Sequence, residues 1–549
     1  MILTDDQISG LTLDHLGLAA STIDKLGIMD KIDAKLPVSK QHGSKVSMGK
    51  RVSAMILNGL GFIDDRLYMF PLFMANKPVE RLLGENIDPA YFNDDALGRC
   101  LDAISDYGVT KLFTELSFDI GVEQGLLGSA CHFDTSTLSL YGTYEQEDSI
   151  EVKGPAPAHG HSKARRPDLK QMVINLATTG KAGFPIWMEA HNGNASDQVV
   201  LHEAAQRMET FCKGLAESQP FLYVGDSAMY SHCVKYGDNL CWLSRVPERI
   251  GACKDLVQMS AETFTWHEMD SNYRHCEIGC NYGGVQQRWL IVFSEHAYKR
   301  EIKTLEKNIK TEYEQATKML RHLNTEIFSC SHDAEVAAAE RVKKLKYHHV
   351  KFDITSVTKH VSSGRPKKDA TPDVVGYVAK GCLSEDESKI TPIRNQKGRF
   401  ILGSNEFDIE KLSSTGILVE YKEQSKTESG FKFIKDDAFE VDSIFLKKPS
   451  RIEALMMIMT LCLMVYGVSQ YFLRESLKES NETVPDQMGK PIQNPTMKWV
   501  YRLFQGVQVL KIHINESCQT LVINLSKLLK RIISYFGTRA LSIYGLPSG

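Results

Sequence analysis

Cysteine is scarce, with 12 in 549 residues and no regular spacing. Such usage excludes a disulfide framework and points to a reduced compartment, where most thiols serve as small core residues. Cys276 and Cys280 stand four apart beside His275, but no second pair at finger spacing follows, so no structural zinc is expected. The opening residues, Met1-Ile2-Leu3-Thr4-Asp5-Asp6, lack a basic stretch and a long apolar core. No secretory signal is expected, and a cytoplasmic setting is. An excess of one charge is missing too: 65 Lys+Arg stand against 68 Asp+Glu, a net charge of −3. Any contact with a polyanion must therefore come from local basic patches. No internal repeat or low-complexity tract is visible, and the 42% hydrophobic and 24% charged residues argue against disorder and fibrous structure. Uncharged apolar runs are absent but for residues 454–473, twenty residues long enough to span a bilayer. Thr460, Ser469 and Gln470 interrupt that run, and basic residues flank both ends (Lys447, Lys448, Arg451; Arg474, Lys478). No orientation bias results. A buried helix of a large core is expected, and no membrane partner.

What is present suits a chain of several domains. Residues 1–112 read as an N-terminal helical domain: Val52, Met55, Ile56 and Leu60 keep helical spacing, and Asn93 stands as an N-cap before Ala96, Leu97, Cys100, Leu101 and Ile104. DNA binding and simple packing are equally open for it. From about residue 128 the texture changes. Residues 130–138 read as a strand, 171–178 and 184–189 as a hairpin, 198–215 as a helix, and 221–226 and 240–246 as short strands. That order predicts an α/β core with mixed strand directions over 128–246. Residues 247–400 interrupt it. There, Ile302, Leu305, Ile309, Ala316, Leu320, Leu323 and Ile327 predict a long amphipathic helix, paired with a second at 334–345. Two basic stretches follow: 341–368 carries nine Lys+Arg against Asp353, and 491–549 carries seven against Glu516.

Two aspartates stand out by position. Asp134 lies within the first strand and Asp226 at the end of a later one. A carboxylate on an apolar strand is costly to bury unless it is paired or meets a cation. If the strands are neighbours, the two converge, and convergent carboxylates form a hard-oxygen site for Mg²⁺ or Mn²⁺. Taken singly, each also reads as a strand-end residue capping a turn. Residues 421–435 predict one helix in which Tyr421, Gln424, Glu428, Phe431 and Lys435 share a face. That face would set a metal ligand beside a phosphate contact. It would equally suit ordinary i,i+4 pairing on a solvated side.

The last segment resembles the DDE-type bacterial insertion-sequence transposases of the superfamily named after insertion sequence four, with their Tyr-x2-Arg-x3-Glu-x6-Lys signature. Tyr421, Glu428 and Lys435 match, while Gln424 stands where Arg is usual. Gln can hydrogen-bond a phosphate or base but brings no charge. Asp134-Thr135-Ser136, the 160–171 basic segment, Gly193-Asn194-Ala195-Ser196-Asp197, Val224-Gly225-Asp226-Ser227-Ala228, Arg399 to Glu406 and the run around Arg451 resemble further parts of the same family, in the same order.

The resemblance implies an RNase H-like mixed-sheet catalytic core. Its first part would span 128–246 and its second 401–480, with an α+β insertion domain at 247–400 and a basic C-terminal segment at 481–549. Asp134, Asp226 and Glu428 would be the metal-binding triad for two Mg²⁺ (or Mn²⁺) ions. The implied activity is cleavage and strand transfer of double-stranded DNA at the inverted repeats of an element, by a protein dimeric on DNA in a bacterial, nucleoid-associated setting. Tyr421 and Gln424 would position the end strand, and Lys435 would contact a phosphate near the cleaved bond; Lys163, Arg165 and Arg166 would hold DNA phosphates, or form a solvated loop. Arg365, Lys367 and Lys368, within Gly364-Arg365-Pro366-Lys367-Lys368, resemble the core of a minor-groove hook, or form a basic loop. Trp242 and Trp266 read as core residues or as platforms for an unpaired base. A transposase-derived protein that binds DNA without catalysis is the alternative.

Overall fold

The structure is a computed structural model describing residues 8–37, 45–61, 69–140, 154–161, 166–214, 221–236, 240–360, 371–434, 446, 448–514 and 517–547, except for the side chains of 197–199, 236, 434, 514 and 517. The chain divides into two compact units, Met1–Ser244 with Leu418–Gly549, and Arg245–Ile417.

The first unit opens with β1 (Ile8–Thr12). There follow α1 (Leu16–Lys25), α2 (Ile28–Lys35), α3 (Met48–Gly59), α4 (Phe70–Ala75), α5 (Val79–Leu83), α6 (Asp94–Tyr107) and α7 (Val109–Glu123). Local chemistry sets the helix starts. The Asn93 side chain accepts the Ala96 N–H at 2.9 Å, and Ser47 accepts that of Lys50 at 3.2 Å. Next come β2 (Ala130–Leu140), β3 (Lys170–Thr179), β4 (Phe184–His191), α8 (Asp197–Lys213), β5 (Leu222–Gly225), α9 (Ser227–Tyr236) and β6 (Cys241–Arg245). The strands lie in the order β4-β3-β2-β5-β6. β2, β3 and β4 are antiparallel, while β5 and β6 are added in parallel. The β3–β4 turn uses Gly180 and Gly183, both at positive φ (64° and 59°), a conformation that suits a residue without Cβ. The strands are largely buried because helices cover both faces. Phe211 of α8 meets Trp187 edge-on on the face that also carries Phe133. His132 and Asp134 point to the other face.

The second unit contains α10 (Gly251–Gln258), β7 (His267–Glu268), β8 (Tyr273–Tyr282), β9 (Val285–Ser294), α11 (Glu295–Leu323), α12 (Ser331–Val342), β10 (His348–Lys359), β11 (Asp373–Glu385), α13 (Glu387–Gln396), β12 (Arg399–Ser404) and the start of α14 (Ser414–Glu423). β12-β9-β8-β7 form one antiparallel array. β10 and β11 form a long two-stranded ribbon. α11 and α12 both pack on it around Leu320, Leu323, Ala334, Ala338 and Ala379.

The chain then returns to the first unit through α15 (Ser425–Ile434), α16 (Pro449–Glu479), β13 (Val484–Pro485), β14 (Pro491–Ile492), α17 (Met497–Leu503), β15 (Gln508–Ile514), β16 (Ser517–Ile523), α18 (Lys527–Tyr535) and α19 (Gly537–Ile543). α16 contains the uncharged run. It is long and apolar enough to cross a membrane, yet 78% of its most apolar window is buried in the protein. It packs against α1, α3, α6, α7, α15, α17, α18 and β4, which explains an apolar surface all round. Arg451 near its start makes a two-pronged bond to Asp102 of α6, at 2.7 and 2.6 Å. β1 pairs with β15, and β15 with β16, so the residues after 507 complete a sheet begun at residue 8.

Candidate active site

The parallel register of β2 and β5 places the two aspartates. Ala130 lies opposite Leu222, Cys131 opposite Tyr223 and His132 opposite Val224. Each pair is offset by the same interval (224 − 132 = 92), and 226 − 134 = 92 as well. The ladder stops at His132 and Val224; carried two residues further, the same offset would set Asp134 beside Asp226, which lies past the end of β5. Asp134 is half-buried, and its Oδ1 accepts its neighbour's N–H, that of Thr135, at 2.8 Å. Asp226 is exposed where β5 gives way to α9. Its Oδ1 accepts the Ala228 N–H at 2.8 Å, and its carbonyl accepts the Ser244 hydroxyl at 2.6 Å. Asp226 thus makes the turn-capping contact just past the end of β5.

The segment carrying Glu428 departs from the expected single helix. α14 ends at Glu423 and α15 begins at Ser425, with Gln424 as the break between them. The expected shared face is also split. Gln424 is 7% exposed and Phe431 6%, whereas Glu428 is exposed and Tyr421 half-buried. The reason lies in Thr427, which is fully buried. Its hydroxyl donates to the His132 carbonyl at 3.2 Å and lies 2.6 Å from the Thr178 hydroxyl. A carbonyl only accepts, so Thr427 spends its proton there and Thr178 supplies the second bond. His132 and Thr178 face each other across the β2–β3 ladder. This latch pins the first turn of α15 to two strands, one residue before Glu428 and two residues before Asp134, or roughly 7 Å along β2.

Around the latch lies a set of groups that sequence reasoning missed. His132 is buried, and its Nε2 sits 3.7 Å from Glu420 Oε2 on α14. Burial, then the charge of Lys426, pulls the imidazole down to about 4, so it is neutral near pH 7. Burial raises the Glu420 carboxyl, opposed by Lys426. The same cause lowers Lys426, opposed by Glu420. Lys426 also pairs with Glu423. The one signal for this set in the sequence is a histidine two positions before a carboxylate on an otherwise apolar strand.

Three carboxylates are the donor type a hard cation takes. Among the described residues, however, no three His, Cys, Asp or Glu side chains are gathered closely enough to hold an ion. The β2–β5 register runs toward both aspartates, and the latch fixes the start of α15. The three side chains do not close on one point.

Other expected site residues fall elsewhere. Arg166 is exposed and clasps Asp168 with two nitrogens, at 2.9 and 2.7 Å. Lys163, Arg165, Arg365, Lys367, Lys368 and Lys435 lie outside the described residues. Trp242 is a core residue, 1% exposed and edge-on to Tyr230. Trp266 is half-buried; its ring faces the Arg274 and Arg399 guanidiniums, and its indole N–H donates to the Ala261 carbonyl.

Comparison with known proteins adds three findings. No curated protein matches the chain in sequence. A cryo-EM structure of a piggyBac transposase synaptic complex with hairpin DNA is similar at 9% identity and a TM-score of 0.34, over 91% of this chain and 82% of that one. Residues 8–118, from β1 into α7, match the family described as Domain of unknown function (DUF4277).

Proposed function

We propose that this protein is a DDE-type DNA transposase with an RNase H-like core. It would cut DNA at the inverted repeats of its element and join the freed ends to a target. The observation that carries this reading is the parallel β2–β5 ladder, whose offset of 92, carried two residues past its last pair, equals the separation of Asp134 and Asp226. The signature residues Tyr421, Glu428 and Lys435 support it, as does a sheet of three antiparallel strands extended by two parallel ones.

In this reading Asp134, Asp226 and Glu428 would hold two Mg²⁺ or Mn²⁺ ions only once the three carboxylates, apart in this structure, draw together; ions so bound would supply Lewis-acid stabilisation at phosphorus. The chain's own groups orient. Thr427 sets where Glu428 begins its approach, and Asp226 is fixed by the α9 cap and the Ser244 hydroxyl. Tyr421 and Lys435 serve the end strand, together with Lys163, Arg165 and, once freed from Asp168, Arg166. Gln424 is buried at the helix break and acts there by shaping the junction. The protein acts as a dimer on double-stranded DNA in the bacterial cytoplasm.

The test is strand cleavage and joining of labelled DNA carrying the sequences that flank the coding region, with Mg²⁺ and with chelator. Metal-dependent joining by the wild type, lost in Glu428→Gln while DNA binding is kept, is the expected result. Binding without cutting in either metal would overturn the catalytic reading and leave a transposase-derived DNA-binding protein. The buried Gln424 in the usual place of an Arg is the feature that favours that second reading.

A further inference from the structure

The basic run that begins at residue 341 has a definite arrangement in the second unit. α12 ends at Val342, and a tight turn leads into β10. Lys343 N donates to the Ala339 carbonyl at 3.1 Å and Leu345 N to that of Val342 at 2.9 Å. Glu312 of α11 then holds the next two residues. Its carboxylate accepts the Lys346 N–H at 2.9 Å and the Tyr347 N–H at 2.8 Å, and lies 3.0 Å from His348 Nδ1. The turn is thus fixed through its backbone, and both oxygens of its nearest acid are spent on that task.

The side chains it displays are Lys343, Lys344 and Lys346, all exposed. None pairs with a carboxylate among the described residues. Lys343 and Lys344 rim an open depression of about 580 Å³ with Met319, Glu340 and Arg341. Arg341 is held by Glu326 at 2.6 Å, and Glu340 is the one acid on the rim. A lysine at a helix end also complements the helix dipole, which is worth about 0.3–1 kcal/mol. That accounts for one such residue. Three unpaired ammonium groups within four residues concentrate positive charge at one place, on a backbone that Glu312 holds. Such a display suits a partner that brings several negative charges at short, regular spacing.

We infer that the Glu312-anchored turn is a grip for the phosphate backbone of duplex DNA, independent of base sequence. The inference rests on the reading above only for choosing duplex DNA among polyanions. Each phosphate neutralised contributes roughly 0.9 to the slope of log affinity against log salt on B-DNA. The full-length protein is titrated with a duplex of arbitrary sequence over a range of salt. The Lys343→Ala/Lys344→Ala/Lys346→Ala variant is expected to lower the slope by about 2–3, and Lys344→Gln alone by about 1. A second triple variant, Lys299→Ala/Lys303→Ala/Lys307→Ala, removes the same charge from exposed positions on α11 and is expected to keep the wild-type slope. An unchanged slope in the first variants would overturn the grip, as would an equal loss in the second. So would tighter binding of RNA that depends on the same lysines. Cleavage assayed in parallel separates the two proposals. A wild type that binds with the full slope but never cuts refutes the transposase reading and leaves the grip standing.

Discussion

Thr427 shows how much a single hydroxyl decides. It is an unremarkable residue in the sequence, between Lys426 and Glu428, and no periodicity marks it. In the fold it ties α15 to β2 and β3 through His132 and Thr178. Thr427→Val keeps the shape but leaves two buried partners unmet, at a cost of about 1–3 kcal/mol. We expect the melting temperature to fall and cleavage to fall further than stability explains, with duplex affinity unchanged; Thr427→Ser should restore cleavage. Equal cleavage by Val and wild type would show that the latch does not position Glu428. Glu453 is a second case. Burial, and then the nearby Glu189, raises its carboxyl to about 7 from the ordinary 4.5. A folded-state pKa above the unfolded one favours folding fully below pH 4.5, and that contribution is lost as pH rises through 7. Glu453→Gln should therefore match the wild type near pH 4 and exceed it at pH 8 by on the order of 2 kcal/mol. Thermal melts across that range would show the gap opening, and a constant difference would refute the assignment.

At the scale of elements, helices and strands were readable where their cause is local. Asn93 begins α6 as its capping chemistry predicts, and the glycine-rich turn joins β3 to β4. The break between α14 and α15 was not readable, since residues 421–434 contain no proline and their only glycine, Gly430, lies inside α15. It follows from the docking of Thr427 and the burial of Gln424, both long-range. Close helix crossings are similarly silent in sequence. A Cβ on Gly49, at the start of α3, would lie 2.1 Å from the Met29 carbonyl oxygen of α2. Gly49→Ala must push the two helices apart, and we expect a loss of about 3 kcal/mol in thermal or denaturant unfolding. An unshifted midpoint would mean the crossing is looser than described.

For the whole molecule, the order of the chain and the order in space differ. The first unit is built from both ends of the sequence, and the second is inserted between them. β1 at residue 8 waits for β15 at residue 508. Tyr544 donates to the Asp14 carbonyl at 2.6 Å, and Arg539 bonds the Arg81 carbonyl at 3.0 Å. Such distant pairings carry a large loop-closure cost before they form, and slow folding results. Removing residues 527–549 takes Leu529, Ile532, Ile533 and Tyr544 out of the core. The truncated protein should lose cooperative unfolding of the first unit, read by hydrogen exchange at α1 and β1. Native protection there in the truncated chain would contradict this account.

Periodicity, caps and turn residues act within a few positions, so the residues alone determined the strand–hairpin–helix–strand order, the amphipathic α11 and the buried character of α16. They also singled out Asp134, Asp226 and Glu428 as candidates. The tertiary structure alone decided that β2 and β5 pair in parallel at an offset of 92, the separation of Asp134 and Asp226, because strand register is set by pairing between segments distant in the chain. It alone decided that Glu428 projects beside a buried threonine latch, and that a glutamate on another helix holds the backbone of Lys346 and Tyr347 in the turn that displays Lys343, Lys344 and Lys346. Each of these depends on a hydrogen bond between distant segments, and no local pattern encodes such a bond.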